Sequence, residues 1–427
     1  MEWLLTRYER WETDGPAGRQ SVRPGTTRPG SAAAGLFDLG VQEFVAWATQ
    51  AGHLAREERM RQREAERGVA ASLLTTLEPL TDKERRAVVR SESGYRSWAL
   101  AERCSEQSLG MVTKDVKKAM EWASLGCYTA ERIEQPEPLR LRALGFCRGH
   151  LANIYRVSGS LKTSDVEIAL AEEIWESGED PDEVLDPGRL LELKASLRSN
   201  QRQPEEALRL LAEAAPISRR QAHVTLKRGT ILIEIGEYEE AVAVLLGADD
   251  LIKKQGEPRL RNVQQFSLCD ALCHLNRYGE AAELLPAVRR SAAELGDELD
   301  LYRILWIDGR ISRGLGDRDR AMVSLEAAAT AFDSREMRFD AALARFEVAT
   351  LHLEMGRPER LAEIVAGIVE TFKDNGDFEE ARKAIELFRE ALAAHRATLE
   401  LAVSILEFLF LAQHRKDLVF GGPPQHG

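Results

Sequence analysis

Three aromatic residues, Phe266, Trp306 and Phe346, stand 40 residues apart. Each lies three positions before a small residue, Cys269, Gly309 or Ala349. Polar residues accompany them: Asp270 and His274 after the first, Arg303, Arg310 and Arg313 around the second, and Glu347, Thr350 and Glu354 after the third. Arg303 and Arg310 are seven residues apart, close to two helical turns, and Arg313 is nearly one turn further on. Three like charges on one helix face need neutralising. Either Asp270, Glu347 and Glu354 do so internally, or a bound acidic segment does. On the second reading the aromatics form a shelf beside an arginine cluster, suited to an extended peptide with acidic side chains. Read instead as structure, the aromatics are core between repeats and the arginines are solvated, since aromatic stripes at a repeat spacing usually fill a core.

Covalent and metal chemistry find less support. The chain contains no G-x-x-x-x-G-K-[ST], no H-E-x-x-H, no G-x-S-x-G and no dinucleotide-binding glycine fingerprint. Cys269, Cys273 and His274 come nearest to a ligand cluster, but Cys269 occupies a position that is glycine at 229 and 309. It reads as a small buried hydrophobe. The acidic stretch 179–186 lacks the glycine and terminal glutamate of a calcium loop. The expectation is a non-enzyme without cofactor or metal.

The elements that must position these residues are helices. Of 427 residues 44% are hydrophobic, 30% charged and only 6% aromatic, with Ala, Leu, Glu and Arg dominant, a helix former's composition. The net charge of −12 argues against a nucleic-acid surface over the bulk of the protein. The opening residues carry Glu2, Arg7, Glu9, Arg10 and Glu12 where a signal peptide needs an apolar run. The most apolar stretch, 399–412, is interrupted by Glu400 and Glu407 and is too short to span a bilayer. Five cysteines, an odd number without a C-x-x-C pair, suit a reducing compartment. With Arg well ahead of Lys, the expected setting is the cytoplasm of a bacterium.

Residues 13–34 are rich in Gly, Pro, Ser, Thr and Arg and are expected to be disordered. Helical patterning starts near Leu36. Capping boxes are predicted at Thr81 with Glu84 and at Ser164 with Glu167, and an N-cap at Asp186 before Pro187. Gly236, Gly316, Gly356 and Gly376 are expected to stop helices, and Pro286 to kink one. No strand-like alternation competes, and no helix-turn-helix signature appears in the first hundred residues.

The turns repeat. Gly236-Glu-Tyr238-Glu-Glu-Ala241, Asn276-Arg-Tyr278-Gly-Glu-Ala281, Gly316-Asp-Arg-Asp-Arg-Ala321 and Gly356-Arg-Pro-Glu-Arg-Leu361 lie 40 residues apart. Gly229, Gly236, Tyr238, Ala241, Leu245 and Ala248 together resemble the tetratricopeptide repeat, in which small residues let two helices cross closely. Cys269, Asn276, Tyr278, Ala281 and Leu285 fit with substitutions, as do Gly309, Gly316, Ala321, Leu325 and Ala328. The 40-residue period exceeds the family's usual 34 and resembles the sensor arrays of some bacterial regulators.

The resemblance implies an all-α fold, a right-handed α-solenoid of stacked antiparallel helix pairs. The expected domains are a disordered segment at 1–35, a helical segment of unclear type at 36–96, the repeat array at 97–394, and a capping helix and tail at 395–427. It further implies a scaffold or adaptor whose concave groove binds a partner segment. The other reading is a ligand- or peptide-sensing module controlling an output protein. In the family's layout the register of Phe266, Trp306 and Phe346 faces the groove. The candidate partner-binding residues are therefore Phe266, Asp270, His274, Arg303, Trp306, Arg310, Arg313, Phe346, Glu347 and Thr350. The broad apolar face of 399–412 predicts packing against the Leu418-Val419-Phe420 tail or a second copy of the chain.

Overall fold

The computed structural model describes residues 31–112, 114–134, 136–181, 183–296, 298–373 and 378–422. The chain divides into two units, residues 1–64 and 65–427. The first is described only from Ser31, where helix α1 (Ser31–Leu77) begins. It starts inside the segment expected to be disordered, whose residues 13–30 lie outside the described ones. Gly376 also lies outside them.

The second unit is built from helices, with no strand among the described residues. The end of α1 and α2 (Asp82–Ser91) precede the pair α3 (Trp98–Met111) and α4 (Val116–Ala130). Ala70, Leu77 and Val89 share a core with Trp98 and Trp122. Then come α5 (Glu137–Val157) with α6 (Leu161–Glu176), α7 (Arg189–Asn200) with α8 (Pro204–Ala214), and α9 (Gln221–Glu234) with α10 (Tyr238–Gly247). A short helix α11 (Asp249–Gln255) leads to α12 (Pro258–His274) with α13 (Tyr278–Leu295), α14 (Glu298–Gly314) with α15 (Arg318–Ser334), and α16 (Arg338–Glu354) with α17 (Leu361–Lys373). Helices α18 (Glu379–Ala393) and α19 (Leu399–Ala412) close the chain.

Local chemistry explains the breaks. The four turns spaced by 40 residues each need a left-handed residue, and Gly236, Asn276, Gly316 and Gly356 take φ of 90°, 57°, 86° and 66°. Glycine has no Cβ penalty there, and asparagine tolerates the region better than most residues. Thr81 and Glu84 form their capping box. Ser164 does not cap. It lies within α6 and donates to the Ala152 carbonyl of α5 at 2.7 Å, a buried bond between paired helices. Asp186 is not the N-cap of α7 either. Its Oδ1 accepts from the Gly188 N–H at 3.0 Å, tightening the turn before the helix. Pro286 lies inside α13, which continues through it.

The small-residue slot behaves as the period requires. Gly229, Cys269, Gly309 and Ala349 sit at equivalent positions on α9, α12, α14 and α16, and Cys269 donates its thiol to the Ala281 carbonyl at 3.6 Å. At Gly309 an added Cβ would lie 2.6 Å from Leu325 Cγ and 3.2 Å from the Leu325 backbone nitrogen. Leu325 is therefore the group that fills the space opposite Gly309. Because Leu325 is fully buried, it has nowhere to move. Gly309→Leu is expected to cost on the order of 1–3 kcal/mol by overpacking, read as a lower urea midpoint with an unchanged slope. A variant as stable as the parent would contradict this crossing.

Candidate functional site

Helices α9, α12, α14 and α16 are the first members of successive pairs, and they line the inner face of the array. Their inner positions follow the 40-residue register: Thr230, Asp270, Arg310 and Thr350 are equivalent, as are Glu234, His274, Gly314 and Glu354. Helix α19 lies on this inner face. Its Leu401, Ile405, Leu406 and Leu409 are buried in one core with Phe339 and Phe346 of α16 and Phe388 of α18. Its far end reaches the pair at α7 and α8. The Arg202 guanidinium donates to the carbonyls of Ala412 and Arg415. Arg415 pairs with Glu205 at 3.4 Å, and Leu411 abuts Gly236. The apolar face of α19 is thus covered within the chain, and Phe420 of the tail packs on Phe408 at 5.2 Å between ring centroids.

Magnitudes decide whether α19 is a wall or a removable occupant. Four large buried aliphatic side chains contribute roughly 6–12 kcal/mol at about 1.5–3 each. That is comparable with the whole of a micromolar binding free energy, about 8 kcal/mol, before the bonds from Arg202 are counted. A ligand that had to expel α19 would have little affinity left, so α19 acts as a wall.

Between α19 and helices α9, α12, α14 and α16 lies a cavity of about 350 Å³. Phe266, Asp270, His274, Arg303 and Trp306 line it, so five of the ten residues singled out by spacing come together here. Phe410 of α19 enters the same space. It stacks on Trp306 with centroids 5.6 Å apart, meets His274 edge-on at 4.7 Å, and lies 4.7 Å beneath the Arg310 guanidinium. His274 also stacks on Tyr238 at 4.3 Å. Burial, reinforced by Arg310, pulls the His274 pKa down to about 3, so this imidazole is neutral at pH 7. On the other side of Phe410 a second cavity of about 500 Å³ is lined by Tyr278, Arg310, Arg313, Glu354 and Leu399.

The other candidates sit elsewhere. Phe346 and Thr350 are completely buried and Glu347 is 2% exposed, because α18 and α19 cover this end of the stripe. Phe346 packs edge-on against Phe388 at 5.3 Å. They form core and do not line the cavity at Phe266 and Trp306. The arginine cluster is neutralised from within. Arg310 pairs with Asp270 at 2.5 Å and with Glu347 at 3.5 Å, and Arg313 pairs with Glu354. Glu347 also accepts from the Trp306 indole N–H at 3.0 Å. Burial pushes the Glu347 carboxyl up, against the pull of Arg310 and Arg313. Arg303 differs: among the described residues no carboxylate lies within ion-pairing distance of it.

Spacing missed several lining residues. Asp300 and Asp340 share a 40-residue register and were open to discovery. Asn262, which donates to Asp300 at 3.2 Å, shows no such signal. Phe410 comes from α19, and Gln413 and His414 from the turn that follows it, outside the repeat register. Gln413 donates to Asp340 at 3.3 Å, and burial raises the Asp340 carboxyl. The buried thiols of Cys269 and Cys273 are both pushed up to about 12 by burial, and their roles are in packing. Among the described residues no three of His, Cys, Asp and Glu converge as a metal site, and no helix is long and apolar enough to cross a membrane.

No family model matches the chain. No curated protein matches it either. Solved structures do. A Rap protein complexed with Competence and Sporulation Factor aligns with a TM-score of 0.58 at 13% identity, over 74% of this chain and 88% of that one. NprR in complex with its cognate peptide NprX aligns with a TM-score of 0.54 at 10% identity, over 69% and 84%. The fold is that of a tetratricopeptide-like α-solenoid.

The ion pairs separate a strut from a free side chain. Arg310→Ala leaves Glu347 and Asp270 without their cation and is expected to cost about 3–5 kcal/mol in urea unfolding. Arg303→Ala, which breaks no ion pair, is expected to stay within about 1 kcal/mol of the parent. Equal losses in the two variants would contradict this assignment.

Proposed function

We propose that this chain is a non-catalytic regulatory module that binds a peptide segment in the cavity bounded by Phe266, Trp306 and Phe410. The observation that carries the reading is the walled cavity itself. An open groove suits a long extended segment. A cavity of about 350 Å³ lies near the lower end of the range for small-ligand sites, and fits one or two side chains of a short peptide. Two solved structures with this fold are complexes, one with a factor and one with a cognate peptide, which supports the sensing alternative over a general scaffold. Occupancy would be felt by α12, α14, α16 and α19 together, since all four supply walls. A change in their packing is the natural means of passing a signal to an output protein. The five buried free cysteines suit a reducing, cytoplasmic setting.

The test uses a pool of random heptapeptides presented to the immobilised full-length protein. Captured sequences are expected to lose at least tenfold in affinity with Trp306→Ala and with Phe410→Ala, measured by titration calorimetry. Val166→Ala, at an exposed position on α6, should leave affinity unchanged. Capture that is indifferent to Trp306 and Phe410 would place binding elsewhere and overturn the reading.

A further inference from the structure

We propose that the cavity beside Phe410 is a seat for an organic cation, the ammonium or guanidinium of a lysine or arginine side chain in the bound segment. The inference rests on the peptide-binding reading above and specifies its chemistry. It reverses the acidic partner expected from the arginine spacing, because Arg310 and Arg313 are already paired with the chain's own carboxylates.

Tyr238, Phe266, Trp306 and Phe410 all line the cavity. Aromatic faces carry negative charge density and attract cations, most strongly where water is excluded. Carboxylates of Glu234, Asp270 and Asp340 enter from α9, α12 and α16. Asp270 is committed to Arg310. Glu234 accepts from the Ser199 hydroxyl at 3.0 Å, with His414 at 4.0 Å and Lys227 acting on it at longer range. Asp340 accepts from the neutral Gln413 amide and from its own backbone, with Arg303 and His414 acting on it through space.

Asn262 lines the cavity and is 3% exposed, and its Oδ1 has no hydrogen-bond partner. Its Nδ2 is held by Asp300 Oδ2 at 3.2 Å. A carboxylate only accepts, so flipping the amide would set oxygen against oxygen, and the orphaned group is fixed as an acceptor. A buried acceptor left unpaired calls for a donor. Ammonium and guanidinium groups are donors only. The histidines do not compete as cations, since burial lowers the pKa of both His274 and His414. Arg303 is the opposing cation among the lining residues, and it stands against the carboxylates of Glu234, Asp300 and Asp340.

The test reads residue preference in the captured heptapeptides. Lys and Arg are expected to be enriched at one position at least fivefold over the starting pool, with Asp and Glu depleted there. The enrichment should disappear in the Glu234→Gln, Asp340→Asn double variant, whose shape is unchanged. Its fold is checked by a circular dichroism melt, and Asn262→Leu provides a second variant if the first melts early. Enrichment of acidic residues would mean that Arg303 selects the ligand and would overturn the proposal. So would capture that depends on Trp306 without any charge preference, which leaves the peptide reading standing. Titration with agmatine separates the remaining source. Agmatine binding without peptide capture would keep the cation seat and reject the peptide. No binding of either probe would reject both.

Discussion

A helix pair of the length found here cannot cover both of its apolar sides, and every other feature follows from how they are covered. Along most of the array the next pair does the work, and the small slot at Gly229, Cys269, Gly309 and Ala349 lets the two helices of each pair cross closely enough for it. Beyond α17 the covering helices are α18 and α19. The face of α16 that meets α19 carries Phe339, Leu343 and Phe346, with Leu343 standing at the register of Arg303 on α14. Helix α19 turns back over that face. Having been drawn in by Phe346, it runs on across the inner surface until Arg202 receives its last carbonyls. The cavity is the space this return leaves between α19 and the inner positions of α9, α12 and α14.

That geometry also explains why one stripe of aromatics has two fates. Phe266 and Trp306 stand at the same register as Phe346, but only Phe346 lies where α19 and α18 meet α16. The same holds for the polar partners. Asp270 and Arg310 remain at the inner surface and neutralise each other, whereas Glu347 is sealed beneath them as a second acceptor for Arg310. The network ties α12, α14 and α16 together from the inside. A buried pair of this kind adds little net stability over an apolar core, but fixes which side chains face which.

What was legible in the sequence was local or periodic. The turns at Gly236, Asn276, Gly316 and Gly356 announce themselves because a left-handed residue is needed at each. Cys269 reads as a packing residue because its neighbours at the same register are glycines. What was not legible needed a contact between distant segments. Nothing in the pattern of α16 tells that residues more than fifty positions later will bury Thr350. Nothing in the spacing of Arg303, Arg310 and Arg313 says that two of them are paired and one is not. Asp270, Glu347 and Glu354 could be named as acceptors in advance, but choosing between them and an external acid required the distances. Ser164 shows a different failure: the S-x-x-E pattern is satisfied inside a helix, where the hydroxyl serves the neighbouring helix.

The central claim is that α19 is a permanent wall of the site. Amide hydrogen exchange followed by mass spectrometry on the intact protein tests it most directly. If the wall is permanent, amides from Ile405 to Ala412 exchange only through global unfolding, as slowly as those of α14 and α16. Exchange in that segment orders of magnitude faster than in α14, with the rest of the array still protected, would show a helix that lifts off the inner face and would contradict the account.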